Sequence, residues 1–226
     1  CLVGSEMCIR DREMTDTGAT FVDLDGTLLK GNSMRIFMKR LPWLLMRRHA
    51  PGAAALSLWW MGWRITRLVS HRSMKWRLTR LARRHLAADD WEDLAGRMLC
   101  SLNPAVEEYM DAPARARCRR YIATAAMEEY VAPLCRMLGY DGAVATVFTD
   151  DPGEYEEMRG SVKRDAVVAL IESERLRLES FLTDHSDDLP LASVFPRLTI
   201  LVNPSRRMLR LFRNVGASRY LDLKRK

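Results

Sequence analysis

The chain has 226 residues, of which 48% are hydrophobic and 29% are charged. This length suits one sizeable domain or a core domain with a modest insert, and the composition argues against a disordered chain and a multi-span membrane protein. The formal net charge of +7 favours an anionic partner.

The N-terminal residues are set aside from the fold. Residues 1–12 resemble the translated end of a transposon-type sequencing adapter, so we treat residues 1–13 as an adapter-like scar and expect the native start at Met14. Polar residues and then a strand-like run follow Met14, which predicts no signal peptide. The five cysteines are odd in number and lack the C-x2-C spacing of metal sites, which favours a reducing cytoplasm over a disulfide framework.

A buried strand and a long helical segment come next. Residues 19–23 form a short apolar run before Gly26, which predicts a strand that leads into a turn. Residues 33–110 are predicted to be mostly helical, because apolar side chains recur there at helical spacing between basic ones. Pro42, Pro51 and Gly52 are expected to break this segment into pieces.

Strands and helices alternate after Arg115. Strands are predicted over residues 120–124, 143–148, 178–183 and 198–202, and helices over residues 127–138, 163–176 and 204–215. This alternation predicts an α/β fold with a Rossmann-like parallel sheet covered on both faces. We expect residues 14–32 and 111–226 to form this core, with residues 33–110 as a helical cap inserted after the first strand.

Polar side chains follow several of the predicted strands. The carboxyl ends of parallel strands meet at one edge of a sheet, so the groups at these ends are expected to converge on one site. Considered alone, the Asp-x-Asp-Gly-Thr run of residues 23–27 fits a surface turn as well as it fits a functional site. The groups are Asp23 and Asp25 after the first strand, Thr124 after the next, Lys163 at a helix start, and Asp184 with Asp188 after residues 181–183.

These residues carry a resemblance to a known family. The chain resembles the haloacid dehalogenase-like superfamily, whose largest group is phosphatases, and specifically its phosphoserine-phosphatase-like branch with a helical cap of the subfamily IB type. Residues 23–27 match the first motif of that family, residues 122–125 the second, Lys163 the third and residues 184–188 the fourth. Asn203 and Pro204 resemble the Val-Asn-Pro element of the branch.

The resemblance implies a Mg²⁺-dependent phosphatase. Asp23 would attack phosphorus to form an aspartyl-phosphate, and Asp25 would protonate the leaving oxygen and later activate water. Dehalogenases lack a carboxylate at the place of Asp25, because a departing halide needs no proton. The implied phosphate-binding residues are Thr124, Lys163, Gly26 and Thr27, and the implied metal-site residues are Asp23, Asp25 through its backbone carbonyl, Asp184 and Asp188.

Several positions depart from the family pattern or compete for a role. Thr183 and His185 flank Asp184 where the family usually has glycine before and serine after the aspartate, and His185 is interpreted as a supporting or surface residue. Asp187 competes with Asp188 for the last role, and we favour Asp188. Asn32 stands where phosphoserine phosphatases have a glutamate for the substrate ammonium, which argues against phosphoserine.

The helical segment gives the remaining indication of substrate. Residues 26–88 contain fourteen Lys or Arg, no Asp or Glu, and five of the six tryptophans. The substrate is either a small phosphorylated metabolite or an amphiphilic or lipid phosphate, and residues 42–84 are candidates for peripheral contact with an anionic membrane at its inner face. A membrane-docking binding protein on this scaffold and a phosphomutase remain alternatives, whereas no nucleic-acid recognition motif accompanies the charge.

Overall fold

The computed structural model describes residues 17–65 and 70–221. The adapter-like residues 1–13 and the expected start at Met14 lie outside the described residues. Within the described ranges, no helix is both long enough and apolar enough to cross a membrane.

Six parallel strands form one sheet in the order β3-β2-β1-β4-β5-β6. Each neighbouring pair in this order runs in the same direction, so the predicted Rossmann-like α/β architecture is confirmed. The C-terminal β6 is the strand that sequence analysis missed, because its three residues carry no extended apolar run. The strands are β1 Thr17–Val22, β2 Arg119–Met127, β3 Gly142–Thr146, β4 Leu176–Thr183, β5 Thr199–Val202 and β6 Arg219–Leu221.

Between β1 and β2, the described residues form five helices. They fall within the segment predicted to be helical, and a short 3-10 turn, Pro113–Arg115, leads from them into β2. Their division from the sheet as a separate cap domain remains a prediction. The helices are α1 Ser33–Arg47, α2 Pro51–Ile65, α3 His71–His85, α4 Ala88–Leu99 and α5 Pro104–Met110.

The predicted break at Pro42 is wrong. Pro42 lies inside α1, which continues to Arg47, whereas Pro51 starts α2 as a helix-initiating proline does. The chain reverses instead at His49, whose φ of 55° is left-handed. Burial of Leu41, Leu44 and Leu45 on either side of Pro42 offsets the lost backbone hydrogen bond.

The remaining helices cover the sheet. Each predicted helix of this half is present with ends shifted by a few residues, and the short helix α8 was not predicted. Gly139 and Gly216 follow α6 and α9 with positive φ, the left-handed conformation in which glycine commonly ends a helix. The helices are α6 Glu128–Met137, α7 Ser161–Ser173, α8 Leu189–Val194 and α9 Arg206–Arg213.

One apolar cluster joins the helices of residues 33–110 to the sheet. Phe37 and Leu41 of α1 belong to the same buried cluster as Val22 of β1 and Leu182 of β4. This continuous packing fixes the start of α1 above the carboxyl end of the sheet, where the predicted site residues lie.

Candidate active site

A cavity of about 400 Å³ opens at the carboxyl ends of β1, β2 and β4. Most of the residues that sequence analysis assigned to the site line it, so the predicted convergence is observed. Basic residues that were not assigned to the site, Arg35 and Arg159, also line it. The predicted residues in its lining are Asp23, Asp25, Gly26, Thr124, Lys163, Asp184 and Asp188.

Asp23 lies in a buried ion-pair network. The Lys163 Nζ atom is 2.8 Å from Asp23 Oδ1 and 2.7 Å from Asp188 Oδ1. Burial raises the pKa of Asp23, and the Lys163 ammonium offsets part of that rise. Burial opposes the charge of Lys163, but Asp23 and Asp188 outweigh it and hold the pKa of Lys163 above its usual value. Lys163 is therefore a fixed cation beside the Asp23 carboxylate.

Asp25 is held by the first turn of α1. The backbone N–H of Ser33 donates to Asp25 Oδ1 at 2.6 Å, and the Ser33 hydroxyl donates to Oδ2 at 3.0 Å. The Asn32 side chain caps α1 by accepting from the Arg35 N–H, and its Nδ2 donates to Asp25 Oδ2 at 3.2 Å. Burial raises the pKa of Asp25 even though the Ser33 bonds lower it. A raised pKa suits a carboxyl group that gives up a proton.

The Asp184 side chain lies against the turn formed by the first motif, residues 23–27. Its Oδ1 accepts the Thr27 hydroxyl at 3.2 Å. Gly26 has a φ of 82°, and a Cβ at this position would collide with the Asp184 carboxylate. Thr27 is fully buried and directs its hydroxyl to Asp184, so it holds a carboxylate in place beneath the cavity. Only glycine permits this approach at position 26.

The fourth motif ends in a 3-10 turn, Ser186–Asp188. Thr183, which replaces the usual glycine, donates its hydroxyl to Asp188 Oδ2 at 2.6 Å. His185 is mostly exposed, and its Nδ1 accepts the backbone N–H of Asp187 at 3.2 Å. His185 thus caps the turn, in agreement with its interpretation as a supporting residue.

Thr124 lies at the carboxyl end of β2 with its side chain buried at the cavity. Its hydroxyl oxygen accepts the backbone N–H of Ala126 at 3.1 Å. This bond leaves the hydroxyl proton available for an acceptor in the cavity, which suits a phosphoryl oxygen.

Two polar groups behind the site were not predicted from the sequence. Tyr130 is fully buried, and its hydroxyl lies 3.2 Å from that of Ser33. Lys75 of α3 is also buried; its ammonium donates to the carbonyl of Ala125 and lies 3.3 Å from Glu157. No local pattern marks either residue, because Tyr130 lies in an ordinary amphipathic helix and Lys75 is one of many basic residues in α3.

The donor set at the site fits Mg²⁺. Among the described residues, no three His, Cys, Asp or Glu side chains form a ready-made metal site. Mg²⁺ in proteins is usually bound by only one or two carboxylates and keeps several waters. Asp23 is buried and Asp184 partly buried; both carboxylates have raised pKa values, and the charge of Asp188 raises each pKa further. A hard cation would supply the positive charge that this cluster lacks.

Comparisons with known proteins agree with this architecture. The family model of haloacid dehalogenase-like hydrolases matches residues 20–193. A protein of unknown function from Bordetella pertussis Tohama I is 21% identical with a TM-score of 0.68, over 92% of this chain and all of that one. No curated protein matches the chain.

Two further solved structures share the fold at lower identity. A HAD family hydrolase from Salmonella enterica serovar Typhi is 10% identical with a TM-score of 0.57, over 92% of this chain and 68% of that one. A phosphoserine phosphatase in its apo form is 14% identical with a TM-score of 0.57, over 92% of this chain and 96% of that one. At these identities the likeness concerns the fold.

Proposed function

The chain belongs to the haloacid dehalogenase-like hydrolases, and from this premise we propose that it is a Mg²⁺-dependent phosphomonoester phosphatase that acts through an aspartyl-phosphate. The observation that carries the proposal is the placement of Asp23, Lys163 and Asp25 around one cavity, with Asp25 held by Ser33. A buried carboxylate beside a fixed ammonium suits attack on phosphorus, and a second carboxylate with a raised pKa suits proton transfer.

Asp23 acts as the nucleophile in this proposal. One of its carboxylate oxygens attacks phosphorus, and the bond between phosphorus and the ester oxygen breaks. Lys163 and the Thr124 hydroxyl bind phosphoryl oxygens, which lowers the repulsion between the substrate dianion and Asp23. Asp188 holds Lys163 in place through its ion pair.

Asp25 transfers the protons of both steps. Its carboxyl group protonates the leaving ester oxygen, and the resulting carboxylate then takes a proton from the water that attacks the phosphorus of the aspartyl-phosphate. Inorganic phosphate leaves and Asp23 is restored. The two Ser33 bonds keep Asp25 in one orientation throughout, because both of its oxygens are engaged.

The residues that would hold Mg²⁺ are Asp23, Asp184 and the backbone carbonyl of Asp25. When bound, the ion supplies positive charge that stabilises the transferring phosphoryl group. Thr27 positions Asp184 for this role through its hydroxyl.

The proposal is tested by the release of inorganic phosphate from an aryl phosphate in the presence of Mg²⁺. We expect turnover by the wild-type protein and at least a 10³-fold lower rate for Asp23→Asn, because the amide is not a nucleophile. Glu172→Gln, a change on α7 away from the cavity, is the control and should retain turnover. A wild-type protein without metal-dependent turnover on a broad phosphoester panel would refute the proposal, and return of the phosphoryl group to an organic product would identify a phosphomutase.

A second candidate role is binding to an anionic membrane through the outer faces of α1 and α2. Large apolar side chains are exposed there, and the Arg40 guanidinium stacks 3.4 Å from the centre of the Trp43 ring. Aromatic and basic side chains together suit a membrane interface. The exposed apolar side chains of these helices are Trp43, Met46, Leu58, Trp59 and Trp63.

Co-sedimentation with vesicles that contain anionic lipid tests this role. We expect the double variant Trp43→Ala with Trp59→Ala to lose most of its binding. Tyr220→Ala removes an equally exposed aromatic ring from β6 and should bind as the wild type does. Equal sedimentation of all three proteins would rule out this surface as the membrane contact.

A further inference from the structure

A second cavity lies among α1, α2 and α3, with a volume of about 730 Å³. Six of its ten lining residues are apolar, and four of these are methionines. Methionine is unbranched and adaptable, so a methionine-rich wall accommodates flexible apolar groups. The size lies within the range of ligand pockets for small molecules. The apolar lining residues are Met34, Met38, Pro42, Leu58, Met61 and Met74.

This cavity is next to the candidate active site. Asn32 and Arg35 line both cavities. The Asn32 Nδ2 atom is 3.2 Å from Asp25 Oδ2, so the shared wall lies beside the carboxyl group that would protonate the leaving oxygen. The methionine-lined space therefore adjoins the side of the candidate active site from which the leaving oxygen would depart.

The charges around the cavity restrict the substituent. Its polar lining consists of Asn32, Arg35, Lys39 and His71, and no carboxylate is among the described lining residues. A substrate ammonium would thus meet cations and no counter-ion, whereas an uncharged chain would meet the methionines. The lining selects an apolar leaving group and disfavours an amine-bearing one.

We propose that this cavity binds the alkyl chain of a single-chain amphiphilic phosphomonoester whose phosphate occupies the site at Asp23. The proposal rests on the proposed phosphatase function and names its substrate class. Burial of each methylene strengthens binding about three- to fourfold, so an eight-carbon chain gains far more from the cavity than a two-carbon chain.

The test is calorimetric binding of n-alkylphosphonates, which resist hydrolysis, to the wild-type protein with Mg²⁺ and at concentrations below micelle formation. From ethyl to octyl phosphonate we expect the Kd to fall by about a hundredfold or more, in steps that continue with each added methylene. Met38→Gln places an amide in the cavity, and so, independently, does Met61→Gln. Each variant should reduce the ethyl-to-octyl ratio of Kd values by about tenfold. Met137→Gln changes an exposed methionine of α6 outside the cavity and should preserve the ratio.

The outcomes separate this inference from the proposed function. Equal Kd values for ethyl and octyl phosphonate, or equal ratios for Met38→Gln, Met61→Gln and the wild type, would overturn the cavity assignment. An aryl-phosphatase activity measured on the same preparation would then leave the phosphatase proposal intact. Chain-length-dependent binding in a protein without turnover would support the cavity and refute the phosphatase.

Discussion

Asp187 and Asp188 are adjacent in sequence but have different surroundings. Asp188 is 1% exposed, accepts the Thr183 hydroxyl and pairs with Lys163. Asp187 is partly exposed and lies 3.3 Å from the Nε atom of Arg159 at the cavity rim. The contacts of Asp188 are those of a residue that holds Lys163 in place.

We predict that Asp188→Asn lowers kcat/KM by about 10- to 100-fold, the usual effect of losing a carboxylate that orients a group at a metal or phosphate site. Asp187→Asn should stay within about threefold of the wild type, because Asp187 and its partners Arg159 and His185 are all partly exposed. Steady-state kinetics on an aryl phosphate measure both effects, and circular dichroism checks that each variant is folded. A larger loss for Asp187→Asn than for Asp188→Asn would reverse the assignment.

Asp90 joins two helices at the element scale. It lies in the first turn of α4, where its carboxylate accepts the N–H of Ala87 at 3.0 Å and pairs with Arg47 and Arg48 at the end of α1. An acid at a helix N-terminus and bases at a helix C-terminus both interact favourably with the helix dipoles. Burial opposes ionisation of Asp90, but the Ala87 bond and the two arginines outweigh it and lower its pKa.

We predict that Asp90→Asn lowers the free energy of unfolding by about 2 kcal/mol at pH 7, since it leaves two partly exposed arginines without their buried partner. The lowered pKa means that the contribution of Asp90 is complete above the unfolded pKa of about 3.9 and is lost as the pH falls through the folded value. Urea unfolding from pH 8 to pH 3 should therefore show a constant difference from the wild type that shrinks only below about pH 4.

Asp93→Asn is the matched control for this prediction. Asp93 lies on the same helix and pairs with Arg40 and Arg97, but it is partly exposed. Its loss should cost less than about 1 kcal/mol. An equal loss of unfolding free energy in Asp90→Asn and Asp93→Asn would show that burial of Asp90 does not increase its contribution to stability.

Sequence could predict the elements whose signals are local. β1 follows from its apolar run, and α9 from the proline before it and Gly216 after it, although the helix begins at Arg206, after its Ser205 cap, and not at Pro204. Pro42 disfavours a helix interior, but it lies within α1 because the buried leucines around it stabilise the helix. The contact between Ser33 and Tyr130 joins residues 97 apart, and Lys75 looks like a solvated lysine until the loop that carries Glu157 packs over it. Such long-range pairings depend on the assembled fold.

At the scale of the whole molecule, the basic segment 26–88 is partly neutralised by acids from elsewhere in the chain. Several of its cations pair with carboxylates of α4, α6 and the loop after β3. The sequence suggested that this excess charge meets an external anion. The internal ion pairs leave fewer cations for that role. Lys30, Arg35 and Lys39, which line the two cavities, are placed to attract a phosphate. The internally paired residues are Arg40, Arg47, Arg48, Lys75 and Arg83.

The candidate active site has the opposite balance of charge. Burial raises the pKa values of Asp23, Asp25 and Asp184. Their ionisation at neutral pH therefore destabilises the folded state, and a bound cation would offset this destabilisation. We predict that Mg²⁺ at about 100 times its Kd stabilises the protein by about 2.7 kcal/mol, which corresponds to a rise in Tm of about 5–10 °C for a domain of this size. Thermal unfolding with EDTA and then with excess Mg²⁺ measures this rise.

Asp184→Asn identifies the source of that stabilisation. The substitution removes one partly buried negative charge near Asp188 and keeps an oxygen for the Thr27 hydroxyl, so in EDTA its Tm should equal or exceed that of the wild type. In Mg²⁺ it should gain less than about 2 °C, because a carboxylate ligand is lost. Asp187→Asn should keep the full wild-type rise. If Mg²⁺ raised the Tm of Asp184→Asn as much as that of the wild type, the ion would bind elsewhere. The carboxylates of the site would then need another source of positive charge.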